Sequence, residues 1–277
     1  MTVPTLALST GSGSIEIPQL GFGSWQVPDE EAYAAVAEAL RVGYRHVDTA
    51  QLYENEGGVG RAIAESGVPH TDLFVTTKVW PTDYTRAETL VAFDASLRRL
   101  GLETLDLYLL HWPAPRRNQF VEAWTTLLEL RDSGRIRAVG VSNFTPELTR
   151  LHDATGEWPA INQVELHPYL QQRELRDFHA ANGILTEAWS PLASGKRVLA
   201  DPVIADIAAQ HGVSSAQAII AWHLAIGNVV IPKSVTPSRI TENFDVLGVA
   251  LDDDDLAAIE GLDQGFRTGP DPTQFNG

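Results

Sequence analysis

The sequence predicts an α/β fold: a (β/α)8 TIM barrel with an N-terminal β-hairpin and two extra helices, the whole chain 1–277 forming a single domain. Three observations carry this. Strand-like and helix-like segments alternate eight times with short links. Such alternation demands a parallel sheet with helices outside it. A chain of 277 residues suits one closed barrel of about 250 residues better than two doubly wound domains. No linker, low-complexity tract or close repeat interrupts the pattern.

Each element has its own signature. Leu6–Leu8, a Gly/Ser turn at Gly11–Ser14 and Ile15–Ile17 read as the hairpin. Strands are expected at Leu20–Phe22, Tyr44–Asp48, Leu73–Lys78, Leu105–His111, Ile136–Ser142, Ile161–Leu166, Ile184–Trp189 and Val229–Ile231. These runs are apolar, β-branched or aromatic. Helices are expected at Glu30–Val42, Gly58–Ser66, Arg86–Leu100, Gln119–Asp132, Pro146–Asp153, Arg173–Ala181, Pro202–Gln210, Ser215–Ile226, Arg239–Leu247 and Asp254–Leu262. Leu90, Phe93, Leu97 and Leu100 show the helical spacing. The acidic run Leu251–Asp255 places carboxylates at the positive end of the last helix.

Composition narrows the function. There is no cysteine, which excludes disulfides, zinc thiolates and cysteine nucleophiles. The net charge of −16 disfavours nucleic acid and anionic membranes as partners. No apolar run approaches the roughly 20 residues that span a bilayer, and the N-terminus lacks the form of a signal peptide. A cytoplasmic location is therefore expected. Lysine occurs three times, at Lys78, Lys196 and Lys233, and two of these end strand-like runs.

Strand ends converge on one mouth of a parallel barrel, where chemistry is carried out. Asp48, Lys78 and His111 stand at three consecutive strand ends, and Tyr53 follows Asp48 by five residues. A phenol of ordinary pKa near ~10 is a weak acid. An adjacent ammonium lowers that value by stabilising phenolate, so Lys78 is expected to make Tyr53 more acidic. Asp48 would hold Lys78, and His111 would hydrogen-bond a carbonyl oxygen. No metal is needed. A dinucleotide motif of the G-x-G-x-x-G type is absent. Lys233, Ser234, Thr236 and Arg239, after the last strand and at a helix start, look instead like a phosphate clamp.

Longer runs carry a resemblance. GYRHVDTAQLYENEGGVG (Gly43–Gly60), VGVSNF (Val139–Phe144) and IPKSVTPSRITENF (Ile231–Phe244), with LLHWP (Leu109–Pro113) and INQVELHP (Ile161–Pro168) in order, resemble the aldo-keto reductases. The likeness extends from Pro18 to Asp263, and the nearest branch is similar to bacterial 2,5-diketo-D-gluconate reductases. It implies NADPH bound extended across the barrel, with NADH a weaker substitute. Tyr53 would be the general acid, tuned by Lys78 and Asp48, and His111 would orient the carbonyl. Ser142, Asn143 and Gln163 would hold the nicotinamide carboxamide, and Trp189 would stack on its ring. Ser190, Pro191 and Leu192 would line the pyrophosphate. Lys233, Ser234 and Arg239 would meet the 2′-phosphate, flanked by Val235 and Thr236, and Glu242 and Asn243 would face adenine.

Phe22, Trp25, Trp80 and Trp112, with Phe275, would rim the substrate pocket. The loops Ala114–Asn118 and Ala193–Leu199 are short, as is the tail after Leu262, so an open, shallow pocket is expected. Gly57 and Gly58 are expected to loosen the start of their helix. The implied activity is reduction of small aldehydes, α-dicarbonyls or keto-sugars by a monomer. The alternative is an NADPH-binding sensor or scaffold barrel with weak turnover.

Overall fold

The computed structural model describes residues 2–195 and 197–277; Met1 and Lys196 lie outside them. Strands β1 (Thr5–Ser9) and β2 (Ser14–Pro18) form the antiparallel hairpin. The barrel strands follow as β3 (Phe22–Gly23), β4 (His46–Asp48), β5 (Phe74–Val79), β6 (Leu105–Leu110), β7 (Ile136–Ser142), β8 (Ile161–Glu165), β9 (Leu185–Trp189) and β10 (Val229–Val230). They pair in parallel in sequence order. Leu20 bridges Val230, and Gly21 N–H donates to the Val230 carbonyl at 2.9 Å, joining the first strand to the last. The barrel is thus closed.

Helices α1 (Asp29–Val42), α2 (Glu56–Glu65), α3 (Arg86–Leu100), α4 (Phe120–Asp132), α5 (Glu147–Thr155) and α6 (Arg173–Ala181) alternate with the strands. After β9 come α7 (Pro202–His211) and α8 (Ser215–Ala225), and after β10 come α9 (Pro237–Phe244) and α10 (Asp253–Glu260). Several ends are set by local chemistry. Thr85 and Glu88 form a capping box for α3, as do Ser214 and Gln217 for α8. The acidic run does the same for α10, with Asp252 as cap and Asp255 reaching back. The expected elements are all present, with ends displaced by a few residues.

Strand alternation sorts the side chains into two cores. Val47, Val75, Tyr108, Leu110, Val139, Val141 and Val164 face outward against the helices. Phe74, Leu107, Leu109, Ala138, Ile161 and Val229 face inward and pack with Leu8 and Ile17 of the hairpin. The hairpin therefore seals the amino-terminal end of the barrel. Burial of each such aliphatic side chain contributes about 1.5–3 kcal/mol.

Gly58 does not loosen its helix. A Cβ there would sit 2.1 Å from the Asp29 carbonyl oxygen, and Gly58 N–H donates to Asp29 Oδ1 at 2.6 Å. The missing side chain lets α2 lie directly on the start of α1. Glu56 at the first turn of α2 is buried and accepts from Thr77 and Arg99, so this helix start is anchored. Among the described residues, no helix is long and apolar enough to cross a membrane.

Candidate active site

Inward-facing positions at the carboxyl ends of β4, β5 and β6 bring Asp48, Lys78 and His111 to the open end of the barrel, all three buried. A short 3-10 turn, Gln51–Tyr53, carries Tyr53 over them. Lys78 Nζ donates to Asp48 Oδ1 at 2.6 Å and to the Thr49 carbonyl at 2.9 Å. It lies 5.2 Å from the centre of the Tyr53 ring. His111 sits edge-to-face with Tyr53 at 5.5 Å and with Trp80 at 5.1 Å. The structure thus brings the four residues together.

Burial governs their protonation. Desolvation lowers the Lys78 pKa, but Asp48 and Tyr53 outweigh it and hold the ammonium above its ordinary value. Desolvation leaves the Asp48 carboxyl above its ordinary value, and Lys78 and Gln163 offset that rise only in part. His111 is pushed well below the ordinary histidine range by burial and by Lys78, so it is a neutral donor or acceptor at physiological pH. Tyr53 departs from the sequence expectation. Burial pushes it up to about 12, and the lowering by Lys78 offsets this only in part. The phenol therefore holds its proton firmly until a basic oxygen arrives.

A cavity of about 260 Å³ opens above these groups, walled by Trp25, Leu52, Trp80, Trp112 and Phe275 among others. Phe22 is not part of it. Its ring is buried on the outer face of β3, 5.8 Å from the ring of Tyr44, and the next residue, Gly23, lines the cavity instead. A one-residue change along a strand reverses the face.

The C-terminal tail supplies a wall that the short loops do not. Glu165, at the end of β8, accepts from Thr268 N–H and Thr268 Oγ1, each at 2.5 Å, and from Gly269 N–H at 3.2 Å. The tail then crosses the mouth, and Phe275 packs on Trp112 at 4.5 Å and Trp80 at 5.9 Å. The pocket is accordingly more enclosed than the short loops led one to expect.

Ser142, Asn143, Gln163 and Trp189 also line the cavity. They are already bonded to one another. Trp189 Nε1 donates to Asn143 Oδ1 at 2.8 Å, Asn143 Nδ2 donates to Ser142 Oγ at 3.0 Å, and Ser142 Oγ donates to the Gln163 carbonyl at 2.8 Å. Asn143 holds this place in the left-handed region, at φ 66°. A second groove of about 540 Å³ shares Trp25, Ser190, Pro191 and Lys233 with the first. Leu192, Ser234, Arg239, Glu242 and Asn243 line it further along. Val235 and Thr236 do not: Val235 is exposed, and Thr236 precedes the first turn of α9.

From Trp189 to Arg239 the surface offers a flat ring, amide and hydroxyl groups, then two exposed cations that form no ion pair among the described residues. That order of chemistry fits a nicotinamide, a pyrophosphate and a ribose phosphate. Sequence reasoning missed Leu52, Ile231, Gly269 and Pro270 in the cavity wall. It also missed Glu187, buried in β9 and bonded to Gln163 at 2.9 Å. Its only signal is a charged residue in a strand of otherwise uncharged residues, Leu185, Thr186, Ala188 and Trp189.

Comparison with known proteins agrees with this geometry. The model of the aldo/keto reductase family matches residues 17–264. An aldo-keto reductase of Mycolicibacterium smegmatis is 56% identical over 274 residues, 99% of this chain and 98% of that protein. The methylglyoxal reductase DkgA of Escherichia coli K12 is 52% identical over 263 residues, 94% of this chain and 95% of its own. Among solved structures, a mutant of Gox0644 in complex with NADPH superimposes with a TM-score of 0.94 at 46% identity, covering 99% of both chains. The chain belongs to the aldo/keto reductase family, a family of NADPH-dependent oxidoreductases built on this barrel.

Proposed function

We propose that this protein reduces small aldehydes, α-dicarbonyls or keto-sugars to alcohols with NADPH, and that Tyr53 donates the proton. The observation that carries the reading is the buried ammonium of Lys78, held by Asp48 at 2.6 Å beneath the Tyr53 ring, with a neutral His111 alongside. When bound, the nicotinamide supplies the hydride that reaches the carbonyl carbon. Tyr53 gives its phenolic proton to the carbonyl oxygen as negative charge develops there. Lys78 stays charged and stabilises the resulting phenolate. His111, neutral, donates a hydrogen bond to the same oxygen and fixes the carbonyl's orientation.

The cavity's size and its largely aromatic wall suit a small carbonyl compound. The relative from Escherichia coli is a methylglyoxal reductase, which makes 2-oxoaldehydes the first substrates to try. Ser142, Asn143 and Gln163 would receive the carboxamide, Trp189 the ring, and Ser190, Pro191 and Leu192 the pyrophosphate. Lys233, Ser234 and Arg239 would take the 2′-phosphate, favouring NADPH over NADH, with Glu242 and Asn243 at the adenine. The chain is read as a single-domain cytoplasmic monomer; large exposed apolar side chains such as Val91 and Phe266 are scattered, apart from Trp25 and Leu52 at the mouth.

The test is NADPH consumption with methylglyoxal, simple aldehydes and keto-sugars, repeated for Tyr53→Phe. The variant is expected to bind NADPH like the wild type and to lose about 10²–10⁴-fold in turnover, the usual contribution of general acid catalysis. Near-wild-type turnover would reject Tyr53 as the donor.

A further inference from the structure

Glu187 takes no part in the chemistry described above, yet it lies two residues before Trp189 and is wholly buried inside the barrel. Its Oε2 accepts from Gln163 Nε2 at 2.9 Å, and the same nitrogen donates to Asp48 Oδ2 at 2.7 Å. Its Oε1 has no hydrogen-bond partner and lies 3.7 Å from His46 Nε2. The titratable groups around it are His46 and Asp48 from β4, Lys78 from β5 and Tyr53 from the turn after β4. His46 does not balance its charge: burial pushes that imidazole down to about 3, and Thr76 Oγ1 lies 3.2 Å from its Nε2.

The cluster around the Gln163 amide nitrogen thus holds two carboxyl groups, Asp48 and Glu187, and one ammonium, Lys78. Asp48 claims the ammonium at 2.6 Å. A second ionised carboxylate would leave a surplus negative charge out of water, which is strongly unfavourable. The proton that removes it belongs on the carboxyl without the direct ion pair, Glu187. Burial first, and then the charge of Asp48, raise Glu187 to about 8, in keeping with this. Gln163 spends both amide hydrogens on the two carboxyl groups. Its amide plane is therefore fixed, and its oxygen is the polar group left for a ligand in the cavity.

We propose that Glu187 is a positioning residue for the reduction: as the proton-bearing neighbour of Asp48, it anchors Gln163 with the amide oxygen toward the nicotinamide carboxamide and leaves Lys78 a single carboxylate partner. The proposal rests on the NADPH-dependent reduction inferred above. Its consequence is an alkaline limb in the rate profile. When Glu187 loses its proton, a second negative charge draws on Lys78 and raises Tyr53, making the phenol a poorer acid.

Two variants test this. Glu187→Gln copies the protonated acid and cannot ionise. It should keep NADPH affinity and neutral-pH turnover close to wild type and move the alkaline limb upward. Glu187→Ala frees one amide hydrogen of Gln163 and should weaken NADPH about tenfold, the effect of one lost buried hydrogen bond.

Thermal melting supplies a readout independent of turnover. A carboxyl whose folded pKa exceeds its unfolded value stabilises fully below the unfolded value near 4.5 and loses that stabilisation as pH rises through about 8. The wild type should therefore fall in Tm relative to Glu187→Gln across this window. A constant Tm difference from pH ~5 to ~9 with an unmoved alkaline limb overturns the proposal. A wild type that consumes no NADPH would instead strike the reduction reading, and the melting curves would still decide where the proton sits.

Discussion

At the barrel mouth most of the polar side chains already bond to one another. Lys78 is held by Asp48 and the Thr49 carbonyl, Asp48 by Gln163, and Asn143 by Trp189 and Ser142. In the loop after β10 the opposite holds. Lys233 and Arg239 stand exposed and make no ion pair among the described residues. The first region has met its electrostatic cost during folding, so it is preorganised for charge that develops later. The second keeps its interaction energy in reserve and realises it only on meeting an anion. Variants in the two regions should therefore differ in kind: those at the mouth disturb stability and turnover together, those in the loop only affinity.

The largest expected effect is at the mouth. Lys78→Met strands Asp48 as an unpaired buried acid, and breaking such a pair typically costs about 3–5 kcal/mol. Urea unfolding should show that loss, and on the proposed mechanism turnover should collapse because a Tyr53 phenolate would lose its counter-ion. Replacing Asp48 with Asn in the same chain should restore much of the stability without restoring turnover. If Lys78→Met unfolds at wild-type urea concentrations, the contrast between the regions is broken.

Lys233→Ala and Arg239→Ala sharpen it from the other side. On the proposed assignment each would remove a charge-assisted contact of about 1.5–3 kcal/mol to a 2′-phosphate, so NADPH binding should weaken about tenfold or more for each. NADH affinity should hardly change, and the urea midpoint should stay within about 0.5 kcal/mol of wild type, as for other exposed positions. Equal losses for both cofactors would remove the 2′-phosphate assignment.

Much of this was legible in the sequence, for reasons specific to each place. Asp48, Lys78 and His111 could be placed because a polar residue ending an apolar strand has one destination in a parallel barrel. Phe22 was expected at the rim as an aromatic at a strand end, but its strand turns it outward beside Val47; Gly23 faces the cavity, where a Cβ would sit 2.9 Å from the Ile231 carbonyl oxygen. The acidity of Tyr53 came out reversed because desolvation, a property of the packed mouth, outweighs the ammonium that spacing alone could suggest. Glu187 and the Glu165 clasp were missed because what they contact lies far off in the chain: Gln163, which bonds Glu187, is 24 positions away on the neighbouring strand, and Thr268, which bonds Glu165, is 103 positions away in the tail. No local pattern announces a contact of that length.

The tail tests a region intermediate between the two, ordered by the fold yet contributed from outside the barrel. A Cβ at Gly269 would lie 2.5 Å from Trp189 Cη2, so Gly269→Ala must displace either the tail or the indole. Overpacking of this sort costs about 1–3 kcal/mol when nothing yields. The tail yields more easily than a barrel strand, so the effect should fall at the lower end. It should appear as a few-fold weaker NADPH affinity if the indole moves, or as a higher KM for the carbonyl if the tail does.

Phe275→Ala should be the mildest change. It removes contacts with Trp80 and Trp112, each worth about 0.5–1.5 kcal/mol beyond area, but it leaves the bonds of Glu165 to Thr268 and Gly269 intact. KM for small aldehydes should rise only a few-fold, bulkier aldehydes should gain relative to them, and kcat should stay unchanged because Tyr53 and Lys78 are not disturbed. A fall in kcat equal to the loss in kcat/KM would mean that the tail helps assemble the proton donor, and that the mouth is less complete in itself than its hydrogen bonds indicate.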